Sequence, residues 1–184
     1  MIEELKKMFG EAYSPELYEW LVQHNFFDCP ASISHHGNEP GGLWEHSKLV
    51  ALELQTLTEK LGLKWQRKES PSIVGLLHDV CKTDDYAKVI DEPGSEMFGG
   101  EVVGRTYKWV YNPEKFMDGH GDKSVIMLSS IIQLTEEEMF CIRFHMGSFT
   151  DSSQWKYYSG AVHKFPNVLY THTADMLASQ VSGV

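Results

Sequence analysis

The run Ile73-Val74-Gly75-Leu76-Leu77-His78-Asp79-Val80-Cys81-Lys82 sets a histidine and an aspartate side by side in an otherwise apolar stretch. It reads as a buried helix with a lysine one turn after the pair. An ionised carboxylate among Leu and Val costs several kcal/mol or more unless something pairs with it. A divalent metal is the simplest partner. A chain built around this run must therefore bring further ligands from distant segments to the same point.

The chain is large enough for that. With 184 residues, 42% of them hydrophobic, it has the size of one domain and can bury a core without staples. We read residues 1–184 as a single domain in which residues 1–30 form accessory N-terminal helices. The 26 acidic and 16 basic residues give a formal charge of −10. That surface disfavours duplex nucleic acid, where phosphate neutralisation supplies most of the affinity. A local basic pocket for one small anion stays open. No uninterrupted apolar stretch is long enough for a membrane span, since Val125-Ile126-Met127-Leu128 breaks at Ser129-Ser130. The start, Met1 to Lys7, lacks the apolar region of a signal peptide. Cys29, Cys81 and Cys141 are far apart in mostly apolar contexts and read as reduced core thiols. The expectation is a cytoplasmic protein with no membrane partner.

The periodicity is mainly helical. Short amphipathic helices are expected over residues 2–9 and 15–25, the second capped by Ser14 with Pro15 in its first turn. A polar loop from Cys29 to Gly42 precedes a long amphipathic helix from Leu43 to about Leu61. Pro71 and Ser72 open the helix carrying His78 and Asp79. Residues 84–119 break the pattern: four glycines precede the alternating Tyr107, Trp109 and Tyr111, which suggests a small β-hairpin or irregular insertion. Helicity returns from about His120 to Gln133. A further helix starts at Thr135, which with Glu138 matches a capping box, and runs to His145 before Gly147 stops it. Residues 148–166 read as an aromatic-rich loop, and Asn167 to about Val181 as the last helix.

Six candidate metal ligands fall within or at the ends of five of these helices: His46, His78, Asp79, His120, His145 and Asp175. A mixed imidazole and carboxylate set suits Fe, Mn, Zn, Co or Ni better than Ca. Four such groups complete one metal; six, with one carboxylate shared, hold two about 3.5–4 Å apart. Lys82, four residues after His78, would meet a substrate phosphate. His35 and His36 lie on a polar loop, where His36 is a candidate general acid or phosphate contact. Lys123 and Ser124 begin a helix, where free backbone N–H groups favour anions. His172, three residues before Asp175, is a candidate partner to a ligand. Trp155, Tyr157 and Tyr158 would either pack or stack on a base or sugar. Arg143 points off the His145 face and reads as surface.

The segments Leu76-Leu77-His78-Asp79-Val80-Cys81-Lys82 and Gly41-Gly42-Leu43-Trp44-Glu45-His46-Ser47, with the distant Asp175, resemble the HD superfamily of metal-dependent phosphohydrolases. The order H…HD…D spans residues 46–175. His120, in Gly119-His120-Gly121, and His145, in Phe144-His145-Met146, match the six-ligand, binuclear branch. The stretch Pro30 to His36 is similar to bacterial HD proteins that include a 3′-to-5′ exoribonuclease class. The resemblance implies an all-α orthogonal helical bundle. It also implies one metal held by His46, His78, Asp79 and Asp175, and a second held by bridging Asp79 with His120 and His145. Cys81 stands where the family has a small glycine. The expected activity is hydrolysis of a nucleotide or other small phosphate ester by metal-activated water, with Asp79 orienting the nucleophile and Lys82 on the phosphate. Alternatives with the same ligands are a di-iron oxygenase, a phosphodiesterase or nuclease, and a non-catalytic nucleotide sensor.

Overall fold

The structure is a computed structural model and describes residues 2–34, 37–92, 97–98, 101–102 and 106–183. Most of these are helical, with a small antiparallel ribbon. Helix α1 covers Ile2–Phe9 and α2 covers Pro15–Gln23. The Ser14 hydroxyl accepts from Leu17 N–H at 3.0 Å and caps α2. Both helices turn apolar side chains inward: Leu5 and Phe9 from α1, Leu17 and Leu21 from α2.

Helix α3, Gly42–Leu61, buries Leu43, Trp44, His46, Ser47, Val50, Ala51 and Leu54. Steps of three and four along that series make one stripe, and His46 lies on it. Gly62, at φ 64°, ends the helix and returns its N–H to the Thr58 carbonyl. Helix α4, Ser70–Leu77, is buried on every side, which explains its apolar run from Ile73 to Leu77; Ser70 and Ser72 are hydrogen-bonded to Glu138 and Gln55. It packs against α3 at very short range: a Cβ on Gly75 would lie 2.3 Å from the Ala51 Cα. Only glycine permits that approach.

The short helix α5, Lys82–Asp85, leads into strand β1, Tyr86–Glu92. β1 pairs antiparallel with β4, Thr106–Tyr111, and the two-residue strands β2, Met97–Phe98, and β3, Glu101–Val102, pair with each other as a separate antiparallel sheet. The hairpin expected in residues 84–119 is therefore present. Tyr86 opposes Tyr111, Lys88 opposes Trp109, and Ile90 opposes Tyr107, so these six side chains share one face.

Helix α6 spans Gly121–Leu128 and is shorter than its pattern suggests, because the chain leaves the helix in the turn at Ser129-Ser130. Helix α7, Glu136–Arg143, has the expected capping box. Glu138, wholly buried, also accepts from Arg67 Nε at 2.8 Å and Ser70 Oγ at 2.7 Å, tying α7 to the start of α4. Glu137 accepts from Gln66 N–H and from Asn167 Nδ2, tying in the last helix.

Residues 148–166 are not a loop. After 3₁₀ turns at Gly147–Phe149 and Ser152–Gln154 they form helix α8, Trp155–Lys164. Tyr158, Ala161, Val162 and Phe165, at helical spacing, pack on the core and supply the burial that holds it. Helix α9, Asn167–Met176, continues as a single π turn, Leu177–Val181. The core is made by α3, α4, α7 and α9, with Leu54, Val74, Leu77, Ile142 and Val168 fully enclosed. Among the described residues no helix is long and apolar enough to cross a membrane, and the three cysteines are free, buried thiols.

Candidate metal centre

Five helices deliver the six predicted ligands to one place. His46 comes from the first turns of α3 and Asp175 from the last turn of α9. His78 and Asp79 follow the end of α4, where i→i+3 contacts tighten the backbone: Val80 N–H meets Leu77 O at 3.3 Å and Lys82 N–H meets Asp79 O at 3.0 Å. The pair therefore sits just beyond the regular helix, not inside it. His120 caps the N-terminus of α6, and His145 follows the end of α7. The α6–α7 approach is again made by glycine, since a Cβ on Gly121 would lie 2.2 Å from the Arg143 carbonyl oxygen. Gly75 thus lets α4 reach α3, and Gly121 lets the His120 turn reach the end of α7.

The four imidazoles aim Nε2 at a common centre. His46 Nε2 lies 3.3 Å from His78 Nε2 and 3.2 Å from Asp175 Oδ1. On the other side, His120 Nε2 is 2.7 Å and His145 Nε2 3.2 Å from Asp79 Oδ1. Asp79 faces both groups, because its Oδ2 looks toward His78 Nε2 at 3.6 Å and His46 Nε2 at 4.0 Å. His46 and His78 thus face one oxygen of Asp79, with Asp175 beside them, and His120 and His145 face the other, while His145 also comes within ligand distance of His78 and Asp175.

Three observations test whether these residues fit a metal. Donors at about 2.0–2.2 Å from one ion lie roughly 3.0–3.4 Å from each other, and the separations of 3.2 and 3.3 Å match. Second, His145 Nε2 is buried without a hydrogen bond although it lies 3.2 Å from Asp79 Oδ1; an unmet atom of this kind calls for a partner. Third, His78 Nδ1 lies 2.8 Å from the Gly75 carbonyl and His145 Nδ1 2.7 Å from the Ile142 carbonyl. Each Nδ1 therefore carries the proton, which leaves the Nε2 lone pair for a ligand bond. Burial pushes the His78 imidazole down to about 4, so it is neutral near pH 7. Asp175 is raised by burial, but its hydrogen bond from His46 and the neighbouring His78 and His145 outweigh this and hold it at about 2. Burial likewise raises Asp79, and Lys82, His120 and His78 together hold it well below the usual carboxylate range. The residues fit: four imidazoles and two carboxylates form a largely buried set that could hold a metal ion.

His120 is held differently from His78 and His145. Its Nδ1 lies 3.3 Å from Cys81 Sγ, and Cys81 N–H donates to Ser124 Oγ on α6. Burial raises the Cys81 thiol, so it stays protonated and serves as a weak partner. Cys81, Asp85 and His120 also come within ligand distance of one another. Asp85, however, is engaged by Lys123 at 2.7 Å.

Lys82 reaches Asp79 Oδ2 at 2.8 Å and donates to the Ala31 carbonyl. Burial works against its charge, and Asp79 outweighs burial, so its pKa is raised and the ammonium persists. It partners Asp79, not the His78 face that its spacing suggested. His36 and His35 lie outside the described residues. Lys123 is no anion contact: its ammonium is wholly enclosed between Asp84 and Asp85, at 2.5 and 2.7 Å, and joins α6 to α5. The reading from helix position failed because those carboxylates arrive from residues far upstream. Arg143 is at the surface, paired with Asp122. His172 Nδ1 sits 2.8 Å from the backbone carbonyl of His145.

A cleft of about 430 Å³ opens onto this cluster, lined by His46, Asp79, Lys82, His120 and Asp175 together with Ala31, Tyr86, Tyr111, Met146 and Ser179. Sequence reasoning missed the two tyrosines and Cys81. Alternation revealed the strand holding Tyr111, but nothing local placed it beside the cluster. Trp155 and Tyr157, considered for stacking, are exposed on α8 and do not line the cleft. A scan of protein-family models, the curated proteins and the solved structures gave no match to this chain.

Proposed function

We propose that this chain is a metal-dependent hydrolase of small phosphate esters, with the ligand set and helical bundle of the six-ligand HD proteins that its motifs resemble. One observation carries the reading: four imidazoles gather about the two oxygens of Asp79, with Asp175 beside His46, and a buried ammonium stands next to them at the foot of an open cleft. His46, His78, Asp79 and Asp175 would hold one metal, and Asp79, His120 and His145 a second. When bound, such ions supply Lewis acidity and lower the pKa of water toward neutrality.

The remaining work falls to the chain. Lys82, charged at any working pH, reaches the cleft and would meet phosphate oxygens as negative charge grows on them. Asp79, kept ionised, would orient the attacking water from the side opposite Lys82. The cleft lies within the roughly 300–1,000 Å³ typical of small-molecule sites, and the net charge of −10 disfavours a long polyanion.

The test is protein loaded with Mn, Fe, Co or Zn and assayed for phosphate release from mono- and diesters, with metal content measured in parallel. Turnover that tracks bound metal is expected. Stoichiometric metal with no turnover on any ester would sink the hydrolase reading.

The Cys81 contact gives a second expectation. In Cys81→Ala, His120 Nδ1 loses its partner, and the weaker metal-binding step should lose about 10- to 100-fold in affinity. Cys81→Ser, which restores an acceptor, should recover most of it. A metal titration followed by calorimetry separates the two steps, and equal loss at both would contradict a local role.

A further inference from the structure

We infer that Tyr86 and Tyr111 form an aromatic shelf that selects phosphate esters whose alcohol part carries a flat aromatic ring. The inference rests on the phosphate-ester reading of the metal centre and adds what lies on the other side of the scissile bond.

The shelf is built into the same stretch of chain as the ligands. Tyr86 follows Lys82 by one four-residue helix, so Asp79, Lys82 and Tyr86 line the cleft in sequence. Tyr111 is its direct cross-strand partner, and the two rings stand 5.8 Å apart at 54°. Among the described residues lining the cleft, these are the aromatic rings other than the histidines. Tyr111 is 66% exposed, a large ring surface left in water beside a polar cluster. Aromatic rings of this kind stack on bases and other planar groups with little sequence or substituent preference.

The mount is rigid, which limits the ordering cost of binding. Asn112, next to Tyr111, donates from its backbone N–H to the Asp85 carbonyl and from Nδ2 to the Asp84 carbonyl, each at 2.8 Å. Asp84 and Asp85 are in turn clamped by buried Lys123. The base of the ribbon is thus tied to α5 and α6, the elements that follow Asp79 and His120. Further out on the same face, Lys88 bonds Asp28 at 2.6 Å and lies over the Tyr107 ring, bracing the ribbon on the loop before α3. A phosphate at the metal centre beside Lys82 therefore has a fixed aromatic surface along the wall of its own cleft. The rest of that wall, Ala31, Ser32, Ser34, Met146, Ser179 and Gln180, is small or flexible and leaves room for a ring.

The test is binding, so that it does not depend on turnover. Metal-loaded full-length protein is titrated calorimetrically with the phosphonate analogues of adenosine 5′-monophosphate, phenyl phosphate and glycerol 3-phosphate, and with inorganic phosphate. The wild type should bind the aromatic analogues roughly 10- to 100-fold more tightly than the glycerol analogue. Tyr111→Ala should lose that preference and leave inorganic phosphate binding unchanged, while Tyr111→Phe should keep it. A larger gain for adenosine than for phenyl identifies a nucleobase as the ring; equal gains identify a simple aryl group. Equal wild-type affinity for adenosine and glycerol analogues would overturn the shelf. So would a preference surviving both Tyr111→Ala and Tyr86→Ala, or a loss in Tyr111→Ala that is equal for every probe. Aromatic preference without hydrolysis of any ester sinks the hydrolase reading alone, and hydrolysis without aromatic preference sinks the shelf alone. No saturable binding of any probe sinks both.

Discussion

In Asp79→Ala, metal uptake at both halves of the cluster and hydrolysis of phosphate esters are expected to fall together. The reason is geometric. Asp79 Oδ1 faces His120 and His145, and Oδ2 faces His46 and His78, so one truncation removes an oxygen from each group. Loss of any imidazole would deprive only its own side. His145→Ala is thus expected to weaken uptake on the His120 side while His46, His78, Asp79 and Asp175 retain a metal. Asp79→Ala should bring metal content, measured by elemental analysis after dialysis, below one ion per chain. Turnover should drop by at least roughly 10²–10³-fold, the scale seen when a single transition-state group is removed.

A second consequence of the same substitution separates the site from the fold. Lys82 is largely buried and bonded to Asp79 Oδ2 at 2.8 Å, so removing the carboxylate strands a cation, which is costly. Asp79→Asn keeps the shape and an acceptor for Lys82 but lacks the charge that four imidazoles and a metal require. It should fold better than Asp79→Ala and still fail to bind metal tightly. If Asp79→Asn keeps wild-type metal content, Asp79 is a structural partner of Lys82 and the shared-ligand reading is wrong.

How much of this was legible in the sequence depends on the range of the interaction. Five of the six candidate ligands were readable because each is a metal-binding side chain among helix-spaced apolar residues, an expensive arrangement without a common partner; His120, between Gly119 and Gly121, is the exception. His46 on the stripe of α3 and Asp175 between Ala174 and Met176 both announce themselves in this way. The α7 capping box and the Ser14 cap were readable because their partners lie three residues away. Helix α8 was missed because Gly147, Ser152, Ser153 and Gly160 suggest a loop, and only contacts such as Tyr158 with Phe144 reveal its buried stripe. Lys123 was misread for the same reason: its position at a helix start is local, whereas Asp84 and Asp85 reach it through the fold. Tyr86, Tyr111 and Cys81 acquire their places beside the cluster only when α5, the ribbon and α6 assemble. Local chemistry therefore identified the donors, and tertiary packing decided what surrounds them.

Gly75→Ala is expected to damage both the fold and the metal centre. The added methyl would lie 2.3 Å from Ala51 Cα and 2.8 Å from Ala51 Cβ, against backbone and a side chain that cannot swing away. Helices α3 and α4 must then separate along their tightest contact, in a core where Val50, Ala51, Val74 and Leu77 are fully enclosed. Overpacking of this kind costs about 3 kcal/mol or more, and at about 2–4 °C per kcal/mol for a chain of this size the melting temperature should fall by roughly 6–12 °C. The same shift reaches the metal centre, because α3 carries His46 and the Gly75 carbonyl holds His78 Nδ1 at 2.8 Å. Moving α4 outward lengthens the 3.3 Å separation of the two Nε2 atoms and disturbs the hydrogen bond that sets the His78 tautomer. Metal affinity should therefore fall even at temperatures where the variant remains folded. Ala51→Gly removes only the Cβ at 2.8 Å and leaves the Ala51 Cα and N contacts at 2.3 and 2.5 Å, so the double variant should regain little of either loss. Thermal melts with and without metal, read on wild type, Gly75→Ala and the double variant, measure the coupling directly. A Gly75→Ala protein that melts like wild type would mean that α3 and α4 do not meet at this distance.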